Sequence, residues 1–147
     1  MERKRKILNP EALSFISAVL LIVLFGYTAL MKLWEHDKFV FQMRLSPTPL
    51  MGWAAPVLSW LVPIIELLIV TALLFDRCRV AGLYASLVLL AVFEIYITMM
   101  LLSGSKLPCT CGGIISRMSW TRHLWFNAAC MLIAGVPIIL KKHLKPK

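Results

Sequence analysis

Two cysteines separated by a single residue are best equipped for covalent chemistry here: Cys109 and Cys111, in Pro108-Cys109-Thr110-Cys111-Gly112-Gly113. A disulfide at that spacing closes a very small ring. Its Cα atoms must approach within roughly 6.8 Å, which requires a tight turn, and the two glycines supply the backbone freedom for one. A strained, exposed disulfide is oxidising and exchangeable. Lys106, Arg117 and Arg122 add positive charge that favours a thiolate, and His123 is positioned to accept or relay a proton. Three readings compete: a redox-active dithiol, an inert structural disulfide, and a metal site. Two cysteines and His123 fall short of the four ligands a structural zinc needs, so no metal is assigned.

Acidic residues inside apolar sequence form the second chemical signal. Glu66 and Glu94 each interrupt a long hydrophobic run, where a carboxyl group is costly and marks a functional site by default. Both count to roughly mid-depth of their runs. They could face each other or a shared polar cavity, and two adjacent carboxylates would share a proton. The functional reading is proton delivery to a buried acceptor such as a quinone. The structural one is a bond from Glu to Asn127, Thr98, Tyr27 or a backbone carbonyl that ties helices together. Lys32 ends its apolar run. It either reaches out to the interface or turns inward to pair with Glu94. Cys78, between Arg77 and Arg79, and Cys130, within an apolar run, read as ordinary structural residues.

The elements that hold these residues follow from composition. The 147 residues are 60% hydrophobic and 16% charged, too apolar for a water-soluble domain of this size. Four apolar stretches, at about residues 12–31, 51–75, 80–102 and 121–140, each approach the ~20 residues that cross a bilayer as a helix. Helix is required because a lipid-exposed backbone must satisfy its own hydrogen bonds. The chain therefore reads as an all-α integral membrane four-helix bundle, flanked by basic tails at residues 1–11 and 141–147. The first stretch lacks a small-x-small cleavage pattern and reads as a retained helix. Asn9 and Pro10 suit a helix start, as Ser119 does for the last helix. Pro56, Pro63 and Pro137 fall inside helices, and Gly26 and Gly82 are candidates for close helix contacts.

The net charge of +9 does not indicate nucleic-acid binding. The charge gathers at the two ends, Arg3 to Lys6 and Lys141 to Lys147, against apolar runs, as expected for anionic lipid headgroups. With Arg77 and Arg79 these outnumber Lys32, Lys38, Arg44, Lys106, Arg117 and Arg122. The positive-inside rule then puts both termini in the cytoplasm, and the loops 32–50 and 103–120 outside. Trp34, Trp53, Trp120 and Trp125 fall near the outer interface as an aromatic belt.

The chain resembles the MauE/DoxX group of small membrane proteins, within it the branch with a Cys-x-Cys-Gly-Gly loop. The matching pieces are Gly26-Tyr27-Thr28-Ala29-Leu30-Met31-Lys32-Leu33, Ser46-Pro47, Val62-Pro63-Ile64-Ile65-Glu66 and Gly82-Leu83-Tyr84. Glu94-Ile95-Tyr96-Ile97, the Cys109–Cys111 loop and Ser119-Trp120-Thr121-Arg122-His123-Leu124-Trp125-Phe126-Asn127 complete them. The resemblance implies a four-helix bundle of the bacterial inner membrane. MauE-like proteins are associated with disulfide formation beside a thioredoxin-like partner, and DoxX-like proteins with quinone-linked sulfur oxidation.

The expectation that follows is thiol–disulfide exchange at a periplasmic Cys109–Cys111 pair, with His123 assisting. Glu66, Glu94, Lys32 and Asn127 would form a proton or polar relay, and a quinone is a possible cofactor. The alternative is a non-enzymatic accessory subunit of a larger envelope complex, its disulfide only bracing the loop. A small transporter is a third reading, weakened by the absence of an inverted repeat.

Overall fold

A computed structural model describes residues 9–104 and 119–144. Five helices follow one another: α1 (Pro10–Trp34), α2 (His36–Arg44), α3 (Pro49–Leu74), α4 (Arg79–Leu102) and α5 (Trp120–Leu144). Among the described residues there is no strand. α1, α3, α4 and α5 are long and apolar enough to cross a membrane.

The helix starts have local causes. Asn9 Oδ1 accepts the Glu11 amide at 3.1 Å, with Pro10 in the first turn, where its missing N–H costs nothing. Ser119 caps α5: its carbonyl accepts the His123 amide at 3.0 Å and its hydroxyl faces the Arg122 amide at 3.5 Å. Pro56, Pro63 and Pro137 all lie within helices.

α1 packs most extensively on α3, and α4 on α5. Their shared core joins Leu21 and Phe25 of α1, Leu73 of α3, Leu83 and Leu90 of α4, and Ala134 of α5. The outer surface is also apolar: Val23, Leu68, Val88, Ile95 and Leu132 are exposed, while Ser59, Ser86, Glu66 and Asn127 are buried. That inversion is what a chain solvated by lipid should show. Ser86 and Thr98 satisfy their hydroxyls by donating to carbonyls one turn back, Gly82 at 2.7 Å and Glu94 at 2.7 Å. A Cβ built on Gly82 would sit 2.9 Å from Leu73 Cδ2 and 3.1 Å from the Leu73 amide nitrogen, so this glycine sets the α3–α4 approach; one on Gly26 would meet nothing within 4 Å.

Two expectations change. The first outer loop, expected over residues 32–50, holds the nine-residue helix α2. Its run is too short and too polar to register as a span. Phe39, Gln42 and Met43 nevertheless recur at helical spacing and are buried, with Asp37 in the first turn and Arg44 in the last. Trp120 does not join an aromatic belt. It is buried against Ile97 and Met100, with its ring edge-on to Tyr96 at 6.4 Å. Trp34, Trp53 and Trp125 remain exposed.

Candidate functional site

Thr28 and Lys32 lie one turn apart on α1 and so share a face. That face meets α3 at Glu66, which is fully buried. The Lys32 ammonium pairs with Glu66 Oε1, and the Thr28 hydroxyl lies 3.3 Å from the same oxygen and 3.3 Å from the Phe25 carbonyl. Glu66 Oε2 is buried and has no hydrogen-bond partner among the described residues. Aromatic rings from two other helices flank the ammonium, Phe93 of α4 at 5.0 Å and Phe39 of α2 at 5.8 Å, within cation–π range.

A second polar knot lies between α4 and α5. Asn127 Nδ2 donates to the Leu90 carbonyl at 2.8 Å and to Glu94 Oε2 at 2.6 Å. Lys32 thus turns inward, but its partner is Glu66 rather than Glu94. Glu94 takes the Asn127 partner that the helix-tying reading offered. Each carboxyl has its own partner, and no hydrogen bond joins the two among the described residues.

Both knots border one cavity of about 160 Å³ among all five helices. Lys32, Glu66 and Thr28 line it from α1 and α3, Asn127 and His123 from α5, and Tyr96, Phe93 and Leu90 from α4; Glu94 reaches it only through Asn127. α2 covers it with Phe39, Gln42 and Met43. α2 packs Phe39 and Met43 against Ala55, Leu58 and Val62 of α3, and His36 adds two contacts. The buried Ser59 hydroxyl donates to the Pro56 carbonyl at 2.9 Å, which leaves its oxygen to accept from His36 Nε2 at 3.0 Å. The His36 ring also lies 4.5 Å from that of Trp60.

The lining is apolar apart from a few convergent polar groups, the usual make-up of a small-molecule site. Sequence reasoning found Glu66, Lys32, Asn127 and His123 but not the α2 cover. The signal was the Phe39, Gln42 and Met43 spacing, inside a segment short enough to pass as loop. Cys109 and Cys111, with Lys106 and Arg117, lie outside the described residues. Of the other cysteines, Cys130 is a buried free thiol in the core and Cys78 an exposed one at the α3–α4 turn. No cluster of metal-binding side chains occurs among the described residues.

The family model for the methylamine utilisation protein MauE matches residues 10–140. The chain belongs to the MauE family. The match runs from the first residue of α1 through nearly all of α5, so the cavity and both polar knots lie inside the family's own region. This MauE-family chain is a multi-pass membrane protein by its four apolar helices. No curated protein and no solved structure matches it.

Proposed function

We propose that this MauE-family protein performs thiol–disulfide exchange at Cys109 and Cys111 and is linked to a membrane quinone bound in the cavity under α2. The reading sets both termini in the cytoplasm and the cysteine loop on the periplasmic side of the inner membrane, where a thioredoxin-like protein or larger envelope complex is the exchange partner. A thiolate of one protein attacks the disulfide of the other, a mixed disulfide forms, and the second thiol of the attacking pair resolves it. The coupling to quinone balances at two electrons and two protons: dithiol and quinone on one side, disulfide and hydroquinone on the other.

The observation that carries the reading is the cavity. Its volume matches the ~150 Å³ that holds a single six-membered ring. Its wall is hydrocarbon and aromatic, as a lipophilic ring requires. The polar groups that face it, the Lys32–Glu66 pair and His123, offer hydrogen bonds and proton exchange to ring oxygens. The two described residues that flank the cysteine segment, Gly104 after α4 and Ser119 before α5, belong to the bundle end that α2 covers.

The test uses full-length protein in lipid nanodiscs. Adding a short-chain quinone to the reduced protein should convert one Cys109–Cys111 dithiol per quinone reduced, read by thiol labelling and quinone absorbance. In cells, Cys111→Ala should trap a reductant-sensitive adduct with a second protein. Absence of both quinone reduction and any adduct would leave the cysteine pair as a structural staple.

A further inference from the structure

A second concave site lies at the opposite end of the bundle, outside everything the redox reading uses. It is a groove of about 290 Å³ between α1, α4 and α5. Ser14 of α1, Tyr84 of α4, and Lys141 and Lys142 of α5 supply its polar atoms; Val80, Leu83, Pro137 and Ile138 form its apolar remainder. No acidic residue lines it.

The polar groups of this groove, two ammonium groups and two hydroxyls, can all donate. Thr28, Ser59, Thr71, Ser86 and Thr98 each bond a backbone carbonyl of their own helix. Ser14 is buried yet has no hydrogen-bond partner among the described residues, and neither do the Tyr84 hydroxyl or the ammonium groups of Lys141 and Lys142. Asp76, the nearby acid of the α3–α4 turn, is engaged by Arg79. α1 and α4 begin at this end while α3 and α5 finish here, so the helix dipoles oppose one another and the lysines carry the positive charge.

A cluster of donors with net positive charge selects an anion. Its place at the junction of a hydrophobic span and a basic tail, with apolar side chains continuing along the groove, selects an anion that carries hydrocarbon. We propose that the groove between α1, α4 and α5 binds the phosphate-bearing head of an anionic phospholipid. Lys141 and Lys142 contact the phosphate, Ser14 and Tyr84 donate hydrogen bonds to it or to the glycerol oxygens, and an acyl chain lies along Val80, Leu83 and Ile138. Basic pockets between membrane helices recognise anionic headgroups by this combination. The assignment is independent of the redox chemistry.

The experiment places the full-length protein in nanodiscs of phosphatidylcholine with a minor fraction of spin-labelled phosphatidylglycerol or phosphatidylcholine. The protein-associated fraction of each label is then measured. The native protein should favour the anionic lipid by about thirtyfold, from two lysines at on the order of 1 kcal/mol each near a lipid surface. K141Q/K142Q should abolish most of that preference. R77Q, which removes a charge at the same end but outside the groove, should retain it, and S14A should lower it with the lysines intact. Equal association of both lipids, or an equal loss in R77Q and K141Q/K142Q, would overturn the site in favour of diffuse surface charge. Displacement of the labelled lipid by millimolar inorganic phosphate would reassign the groove to a soluble anion and overturn the lipid assignment. Circular dichroism of each variant establishes that the bundle is intact.

Discussion

Asn127 ties α5 to α4 twice through one nitrogen: its Nδ2 donates to Glu94 Oε2 at 2.6 Å and to the Leu90 carbonyl at 2.8 Å. Both hydrogens of the amide are spent, so the side chain is fixed in rotation and Glu94 is held at the cavity's edge without lining it.

Replacing Asn127 with Leu removes both bonds and leaves the Glu94 carboxylate without a donor among the described residues. Hydrogen bonds between membrane helices contribute ~0.6–2 kcal/mol, so Asn127→Leu should lower stability by about 1–2 kcal/mol in detergent unfolding by SDS. Glu94→Gln, which can still accept, should cost less than half as much. Equal stability of Asn127→Leu and the native protein would show that the knot is not a structural tie.

The Lys32–Glu66 pair should behave as a unit. Removing one member strands a buried charge, an effect of about 3 kcal/mol or more. Lys32→Met and Glu66→Leu should each destabilise strongly, whereas the double variant should recover much of the sum because neither charge is left unpaired. A double-mutant cycle in SDS unfolding measures this. Strict additivity of the two single changes would mean that the pair is not coupled.

Gly82 and Gly26 offer a matched comparison. An added methyl at Gly82 meets the Leu73 backbone, which cannot swing aside. Gly82→Ala should therefore destabilise by ~1–3 kcal/mol through overpacking, even though alanine is the better helix former. Gly26→Ala, with open space around it, should be neutral or stabilising by up to ~1 kcal/mol. Thermal unfolding of both in the same detergent decides the order.

His36→Ala removes the bond to Ser59 and the ring contact to Trp60 that add to the Phe39 and Met43 packing of α2 over the cavity. The loss should be local. Amide exchange in α2 should quicken by roughly tenfold, the equivalent of one ~1.4 kcal/mol contact, while exchange in the centre of α4 stays as in the native protein. Matching acceleration in both helices would mean that α2 is part of the global folding unit.

The four long helices were legible because lipid imposes a length on them, and Asn9, Pro10 and Ser119 signal starts that local hydrogen bonding enforces. The cavity was legible only in fragments. Glu66, Asn127 and Lys32 stood out as polar residues in or beside apolar runs, yet one-dimensional counting cannot say which helix faces which. Lys32 could therefore be matched with Glu94 as readily as with Glu66. The decisive information was rotational: Thr28 and Lys32 share a face of α1, and that face packs on α3. α2 escaped because a nine-residue amphipathic helix carries little periodic signal, and Trp120 because tertiary packing against Tyr96 and Met100 outweighed the interfacial preference of tryptophan.

The position of Lys32 at the last turn of α1, with Glu66 deep within α3, bears on the order in which the chain enters the bilayer. α1 emerges first, and a lysine at its end can rest among headgroups until a partner arrives. A glutamate in the middle of α3 has no such waiting place, and its solitary entry into hydrocarbon would be costly. Because the cation precedes the acid by 34 residues, α3 is inserted into a membrane where its counter-charge already stands. Pairing with Lys32 therefore gives the Glu66 carboxylate of the second span a counter-charge carried by the first.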